Sequence, residues 1–308
     1  MDGLLLIDKP KGMTSYEAVL KVKEALEVKK AGHTGTLDPS ATGLLLICVG
    51  KATKLTPFLQ DLDKTYKGKM VFGITTSSLD EEGEIVEEKD ASSLTREQVE
   101  EVFSHFTGKI RQSPPMFSAV HYRGERLYKL ARKGVEVERP LRQVQVYELK
   151  LINFHAGKHP QAEFEVRCSK GTYIRSLCSD IGKALGCGAY QASLCRTKIG
   201  PFELKEAKKP SELERMDEIK IKEVLYSLSE ALSHLPLVTV KKEAEKMVKW
   251  GRPLYLSHLQ SFPFSIEKGD RVRLCSQEGK LLAVATSLQD GAHFLEERIG
   301  FKYLRVLV

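Results

Sequence analysis

The chain has 308 residues, 42% hydrophobic and 29% charged, with a formal charge of +7. That length allows two domains whose cores need no disulfide or metal staple. The longest apolar run, residues 44–49, falls far short of the roughly 20 residues that span a bilayer. Asp2 and the brief apolar stretch after it point away from a secretory leader.

The charge is unevenly spread. Residues 80–103 carry ten acidic and two basic side chains, whereas residues 107–142 carry nine basic and three acidic ones. A basic cluster of that density suits a polyanion by counterion release, and it also suits a solvated helix face. The six cysteines (Cys48, Cys168, Cys178, Cys187, Cys195 and Cys275) form no C-x-x-C pair. They read as free thiols in a reducing cytosol, with no metal. His155 and His159 have helical i, i+4 spacing, but Gly157 and Pro160 break any helix between them.

In chain order, residues 4–7 predict a short buried strand. Thr14, with Glu17 three residues on, predicts a capping box and a helix carrying Val19, Val22 and Leu26. Residues 44–49 predict a second buried strand. From Tyr66 to Ile74 the pattern alternates, with Tyr66, Gly68, Met70, Phe72 and Ile74 on one face. Thr95 and Gln98 predict another capping box, with Leu94 and Val99 as its hydrophobic staple. Residues 144–154 and 162–168 are strand-like. Ile174, Leu177, Cys178, Ile181 and Leu185 form a helical stripe that Gly186 ends. Residues 205–222, dense in Lys and Glu, predict a linker or peripheral helix. Residues 241–250 predict one short helix, and the turns at Gly269 and Gly279 frame a compact β unit. The fold class is α+β: a large mixed or antiparallel sheet with helices packed on it, then a small, mostly β unit. The domains are expected at 1–235 and 236–308, with a basic insertion at about 120–145.

The least ordinary segment is Gly32-His33-Thr34-Gly35-Thr36-Leu37-Asp38-Pro39-Ser40-Ala41-Thr42-Gly43. It is a polar, Gly-rich loop running into a buried strand, the kind of setting in which catalytic groups are held. Pro39 restricts Asp38 to extended backbone, although Asp-Pro also simply starts turns. No phosphate-loop pattern is present.

This loop resembles the signature of the tRNA pseudouridine-55 synthase family, TruB. Five further stretches fit that family's motifs in order. They are Leu6-Ile7-Asp8-Lys9-Pro10-Lys11-Gly12-Met13-Thr14-Ser15; Lys64-Thr65-Tyr66 with Gly73, Thr76 and Asp80; Gln112-Ser113-Pro114-Pro115-Met116-Phe117-Ser118-Ala119; Cys168-Ser169-Lys170-Gly171-Thr172-Tyr173-Ile174-Arg175-Ser176-Leu177; and Leu194-Cys195-Arg196. Ser78 stands where a threonine is commoner, and Cys195 where a second arginine often stands. The last 73 residues resemble a PUA-type RNA-binding domain only loosely.

The resemblance implies a pseudouridine-synthase-type sheet domain and a cofactor-free, metal-free isomerisation of the T-loop uridine of tRNA. It implies that Asp38 attacks C6 of the base or C1′ of the ribose, or promotes elimination to a glycal. It implies Arg175 as the cation that keeps Asp38 ionised, with Asp80 orienting it, and Tyr66 as the base-stacking tyrosine. Tyr173 and Leu194 would line the same pocket, Lys9 would bind substrate, and His33 would enter the T loop. Arg123, Arg126, Lys129 and Arg132 would clamp the T-arm, and the C-terminal unit would reach the acceptor end. The expected protein is a cytoplasmic monomer with tRNA as partner, no membrane and no obligate protein partner. Two other readings use the same surface: a non-catalytic tRNA-folding chaperone, and a guide-dependent rRNA synthase.

Overall fold

The structure, a computed structural model, describes residues 1–118, 120–122 and 124–307, without the side chains of Tyr128 and Arg132. Along the first two thirds of the chain run β1 (Gly3–Lys9), β2 (Ala31–His33), β3 (Thr42–Val49), β4 (Lys64–Phe72), β5 (Ile74–Thr76), β6 (Ile85–Glu88) and β7 (Gly108–Gln112). They are followed by β8 (His121–Tyr122), β9 (Glu125–Arg126), β10 (Arg142–His155), β11 (Gln161–Cys168), β12 (Ala189–Ile199) and β13 (Phe202–Glu203). The last third holds β14 (Leu237–Val240), β15 (Leu259–Ser261), β16 (Arg271–Cys275), β17 (Leu281–Ser287) and β18 (Phe301–Val306). The helices are α1 (Ser15–Ala25), α2 (Thr56–Gln60), α3 (Arg96–His105), α4 (Leu127–Arg132), α5 (Ile174–Ala184), α6 (Pro210–Leu213), α7 (Glu218–Val224) and α8 (Glu245–Lys249).

The large sheet has the order β1-β3-β12-β4-β11-β10-β7, with β2 on β3 and β13 on β12. Neighbours are antiparallel except β3 and β12, which run parallel through Thr42 opposite Cys195 and Gly43 opposite Arg196. Continuous apolar runs in β1 and β3 follow from burial on both faces. On one face Leu5, Ile7, Leu45, Ile47 and Val49 pack against Ala18, Val19 and Val22 of α1. On the other, Leu4, Leu6, Leu44 and Leu46 pack with Leu55, Phe202 and Leu232. Strand β4 alternates because only one of its faces is covered. Tyr66, Met70 and Phe72 enter the core beneath α3 and α5, while Lys67 and Lys69 face Glu165 and Glu163 of β11 at 3.6 Å.

Both capping boxes form. Thr14 Oγ1 accepts from the Glu17 amide at 3.1 Å, and Glu17 Oε2 accepts from the Thr14 amide at 2.7 Å. Thr95 and Gln98 do the same at the start of α3. Each cap is worth about 1 kcal/mol.

Two expectations need correction, and a third is narrowed to one of its alternatives. The alternating strand ends at Phe72: Gly73 turns the chain with φ +80°, and Ile74 pairs with Glu88 in a separate hairpin. Of the two readings for residues 205–222, the peripheral helix is the one observed, as α6 and α7. Lys208 hydrogen-bonds across to Leu6 and Asp8 on the outer edge of β1, and Leu213 and Ile221 bury against the α1 side of the sheet. The helix over 241–250 is shorter than its span suggests, because residues 242–244 form a 3₁₀ turn before α8.

The small sheet, β15-β14-β16-β17-β18, has its own core around Val238, Val272, Leu282 and Phe301. Its Cys275, Leu281, Val284 and Leu307 join the same apolar cluster as Leu4 and Leu46 of the large sheet. Arg271 adds an ion pair across this contact, 2.8 Å from Asp61.

Candidate active site

The loop between β2 and β3 lies over the β3/β12 junction. Gly43 makes that approach possible: it has φ +98°, and a Cβ there would lie 2.4 Å from the Arg196 carbonyl oxygen. Three side chains fix the loop. Ser15 Oγ donates to the Leu37 carbonyl at 3.0 Å and accepts from the Leu37 amide at 2.8 Å. Arg196, almost fully buried, donates to Leu44 O at 2.7 Å and Gly35 O at 3.1 Å. Lys9 Nζ donates to the carbonyls of Met13 (2.6 Å), Pro10 (2.9 Å) and Pro39 (3.3 Å). Lys9 was expected at the substrate; it is instead fully buried, with its ammonium spent on three carbonyls, and it holds the loop from behind. Burial brings its pKa down to about 8.

Asp38 projects from this loop toward the first turn of α5. Arg175 Nε lies 3.0 Å from Asp38 Oδ2. Its Nη1 lies 3.2 Å from Asp80 Oδ2 and donates to Ser78 O at 3.1 Å, and its Nη2 donates to Phe117 O at 2.8 Å. One buried guanidinium thus ties together the Asp38 loop, the turn after β5 and the root of the basic insertion. Asp80 is buried and further held by the Ser78 hydroxyl and by the Glu82 amide at 3.1 Å. Leu79, beside it, has φ +65°, an uncommon conformation for a non-glycine residue and of the kind that collects at functional sites.

These groups face a cleft of about 580 Å³ whose lining includes Asp38, Tyr66, Tyr173, Arg175, Leu194 and Arg196. Tyr66 and Leu194 stand on adjoining strands, β4 and β12, and are nearly buried. The Asp38 side chain keeps 35% of its surface open to the cleft. Protein surrounds its remaining sides, and that desolvation raises the carboxyl above its ordinary pKa of 3.8. Arg175 opposes the rise, and Asp80 adds to it. Arg175 therefore moderates the effect of burial on Asp38 but does not cancel it. Burial also raises Tyr66 and Tyr173, while Arg196 pulls Tyr66 back down.

Asp38, Tyr66, Tyr173, Arg175 and Leu194 thus meet in one cleft, with Asp80 behind Arg175. His33 ends β2 one residue before the cleft-lining Thr34. It is half-buried, and burial followed by the charge of Arg196 lowers its pKa, which favours the neutral imidazole. Arg126 and Lys129 are exposed on the insertion. Arg123, and the side chain of Arg132, lie outside the described residues. Arg196 stood in a recognised motif but was not expected at the site; its full burial is invisible in a strand of mixed polarity. Among the described residues no group of His, Cys, Asp or Glu could hold a metal ion, and no helix is long and apolar enough to cross a membrane.

Two family models match the chain in succession. "TruB family pseudouridylate synthase (N terminal domain)" covers residues 23–174, and "tRNA pseudouridylate synthase B C-terminal domain" covers residues 175–233. The tRNA pseudouridine synthase B of Pelotomaculum thermopropionicum is 41% identical over 310 residues, spanning 100% of this chain and 97% of that protein. That of Symbiobacterium thermophilum is 47% identical over 251 residues, 82% of each chain. A solved structure described as a Cbf5-Nop10-Gar1 complex matches with a TM-score of 0.78 at 28% identity, covering 99% of this chain and 85% of that one. A likeness that runs the whole length and includes the strands, loop and helix around Asp38 establishes that the chain belongs to the TruB family of pseudouridylate synthases.

Proposed function

We propose that the protein converts a uridine of tRNA, the T-loop uridine at position 55, to pseudouridine, with Asp38 as the catalytic carboxylate. The observation that carries this reading is the contact of Asp38 with an anchored Arg175 in a cleft that also holds an aromatic ring. The reaction breaks N1–C1′, turns the uracil over and joins C5 to C1′; the C5 proton leaves and N1 gains one. It is an isomerisation, so it consumes no oxidant, phosphate or other co-reactant.

Each residue has a physical task. The base must leave its stack in the RNA, at a cost of a few kcal/mol. The Tyr66 ring offers replacement stacking, worth about 1–3 kcal/mol. Asp38 initiates cleavage from its ionised form. Arg175, fixed by Asp80 and two carbonyls, holds the carboxylate in place and steadies its charge. Tyr173 and Leu194 complete the pocket wall, and His33 supports the flipped-out base from the loop side. The insertion grips T-arm phosphates through Arg126 and Lys129, together with Arg123 and Arg132. The unit at 236–308 holds a more distant part of the tRNA.

The direct test is incubation with an unmodified tRNA transcript labelled at the T-loop uridine, with EDTA and no added cofactor. Pseudouridine at that position is expected. Tight binding without product would overturn the reading, in favour of a chaperone or a guide-dependent enzyme.

Two further results are expected. Because Asp38 must be ionised, kcat/KM should fall as pH drops, along a limb centred above 3.8. A limb at or below that value would contradict the desolvation seen here. In the insertion, Arg126→Ala or Lys129→Ala should weaken tRNA binding and lower its salt dependence by about one unit of slope each. The rate at saturating tRNA should change less, and an unaltered slope would place these side chains outside the interface.

A further inference from the structure

Strand β12 carries an irregularity that redirects one side chain. Counting back by twos from Arg196, which faces the Tyr66 side of the sheet, the next cleft-facing positions would be Leu194, Ala192 and Tyr190. The register instead runs Leu194 opposite Gly68, Ser193 opposite Lys69 and Gln191 opposite Met70. The extra residue, Ala192, is a bulge, and bulges beside active sites re-aim side chains. Gln191 consequently lies on the Tyr66 face, 2% exposed, and lines the cleft. Its backbone is fixed, with the amide donating to Leu79 O at 3.0 Å beside Asp80. Its side-chain Oε1 is buried and has no hydrogen-bond partner among the described residues. A buried carbonyl left unpaired costs about 1–3 kcal/mol, so such a group in a binding cleft points to a ligand atom that completes it.

The uracil ring supplies that atom. Its reacting positions, N1, C6 and C5, lie on one edge and must face Asp38. The opposite edge carries N3–H between the O2 and O4 carbonyls, and it must point away from Asp38 into the protein. We infer that the Gln191 amide is the contact for this edge, with Oε1 accepting from N3–H and Nε2 donating to the neighbouring carbonyl. The inference rests on the uridine-isomerase reading of the cleft and deepens it. Turning uracil about the axis through N3 and C6 exchanges N1 with C5 and O2 with O4, and leaves N3–H where it was. An amide on that edge therefore holds substrate and product alike, and serves as the bearing on which the freed base turns.

The test compares tRNA carrying uridine with tRNA carrying N3-methyluridine at the target position, using wild-type protein and the Gln191→Ala variant. The wild type should strongly prefer uridine, because the methyl group removes the donor and fills its place. Gln191→Ala should lower kcat/KM for uridine about tenfold and shrink the preference for uridine by a similar factor. The preference is a ratio measured within one protein, so partial loss of folded variant does not affect it. A second variant, Gln191→Met, keeps the volume and should show the same loss on uridine. An unchanged preference in Gln191→Ala, or full activity of Gln191→Met, would overturn the assignment. Failure of the wild type to convert uridine would instead defeat the functional reading beneath it.

Discussion

Asp38→Asn should reduce pseudouridine formation on the order of 10⁴-fold or more, while the melting temperature at neutral pH stays level or rises. The substitution keeps the shape of the side chain, and an amide oxygen still accepts from Arg175 Nε. On the proposed mechanism it removes the charge on which the chemistry depends. The stability effect follows from the direction of the pKa shift. Asp38 binds its proton more tightly in the folded protein than in the unfolded chain. That proton stabilises the fold at low pH, and the contribution disappears as pH rises through the raised value. At neutral pH an ionised Asp38 is thus a net cost to the fold, which asparagine removes. Single-turnover assays and thermal denaturation on the same preparation check both parts. Activity within tenfold of wild type would take Asp38 out of the chemistry, and a large fall in melting temperature would contradict the desolvation argument.

Arg175→Ala should behave in the opposite way and damage the fold along with the activity. The guanidinium is buried between two carboxylates and two carbonyls, and Asp80 is as deeply buried as Arg175. Removing one member of such a group leaves uncompensated charge in the interior, at about 3–5 kcal/mol. For a protein of this size that corresponds to a melting temperature lower by about 10 °C. Arg175→Lys should not restore activity, because a single ammonium cannot reproduce the planar set of donors that reaches Asp38, Asp80, Ser78 and Phe117 together. Replacing Arg175 and Asp80 together with apolar residues should recover part of the stability and none of the activity. Circular dichroism melts of the three variants separate these outcomes. A wild-type melting temperature for Arg175→Ala would show that Asp80 needs no partner.

The legible parts of the fold were those set by local rules. Thr14 with Glu17, Thr95 with Gln98, and the Ile174–Leu185 stripe each declare themselves within a few residues. The candidate site was legible because its groups stand in recognised motifs; nothing in the sequence separation between Asp38 and Arg175 predicts their contact. What stayed hidden depends on three-dimensional closure. Lys9 reads as a substrate ligand until three carbonyls from two loops enclose it. Arg196 looks like an ordinary strand arginine until the β2–β3 loop folds over it. Gln191 falls on the wrong face by strict alternation, and only the bulge at Ala192 corrects it. Residues 205–222 leave linker and peripheral helix open in the sequence, because a few apolar side chains, Leu213, Met216 and Ile221 among them, are enough to dock a segment rich in Lys and Glu.

The apolar cluster that joins Leu4 and Leu46 to Cys275, Leu281, Val284 and Leu307 has a mechanical consequence. A module tethered by a flexible hinge can search for its ligand but cannot measure distance. A module seated on its neighbour's hydrophobic interior is a fixed arm. The separation between the Asp38 cleft and the β14–β18 unit is then a built-in length. Cutting the arm away would uncover greasy surface as well as shorten the reach, so the two parts are expected to melt together and to be purified only as one piece.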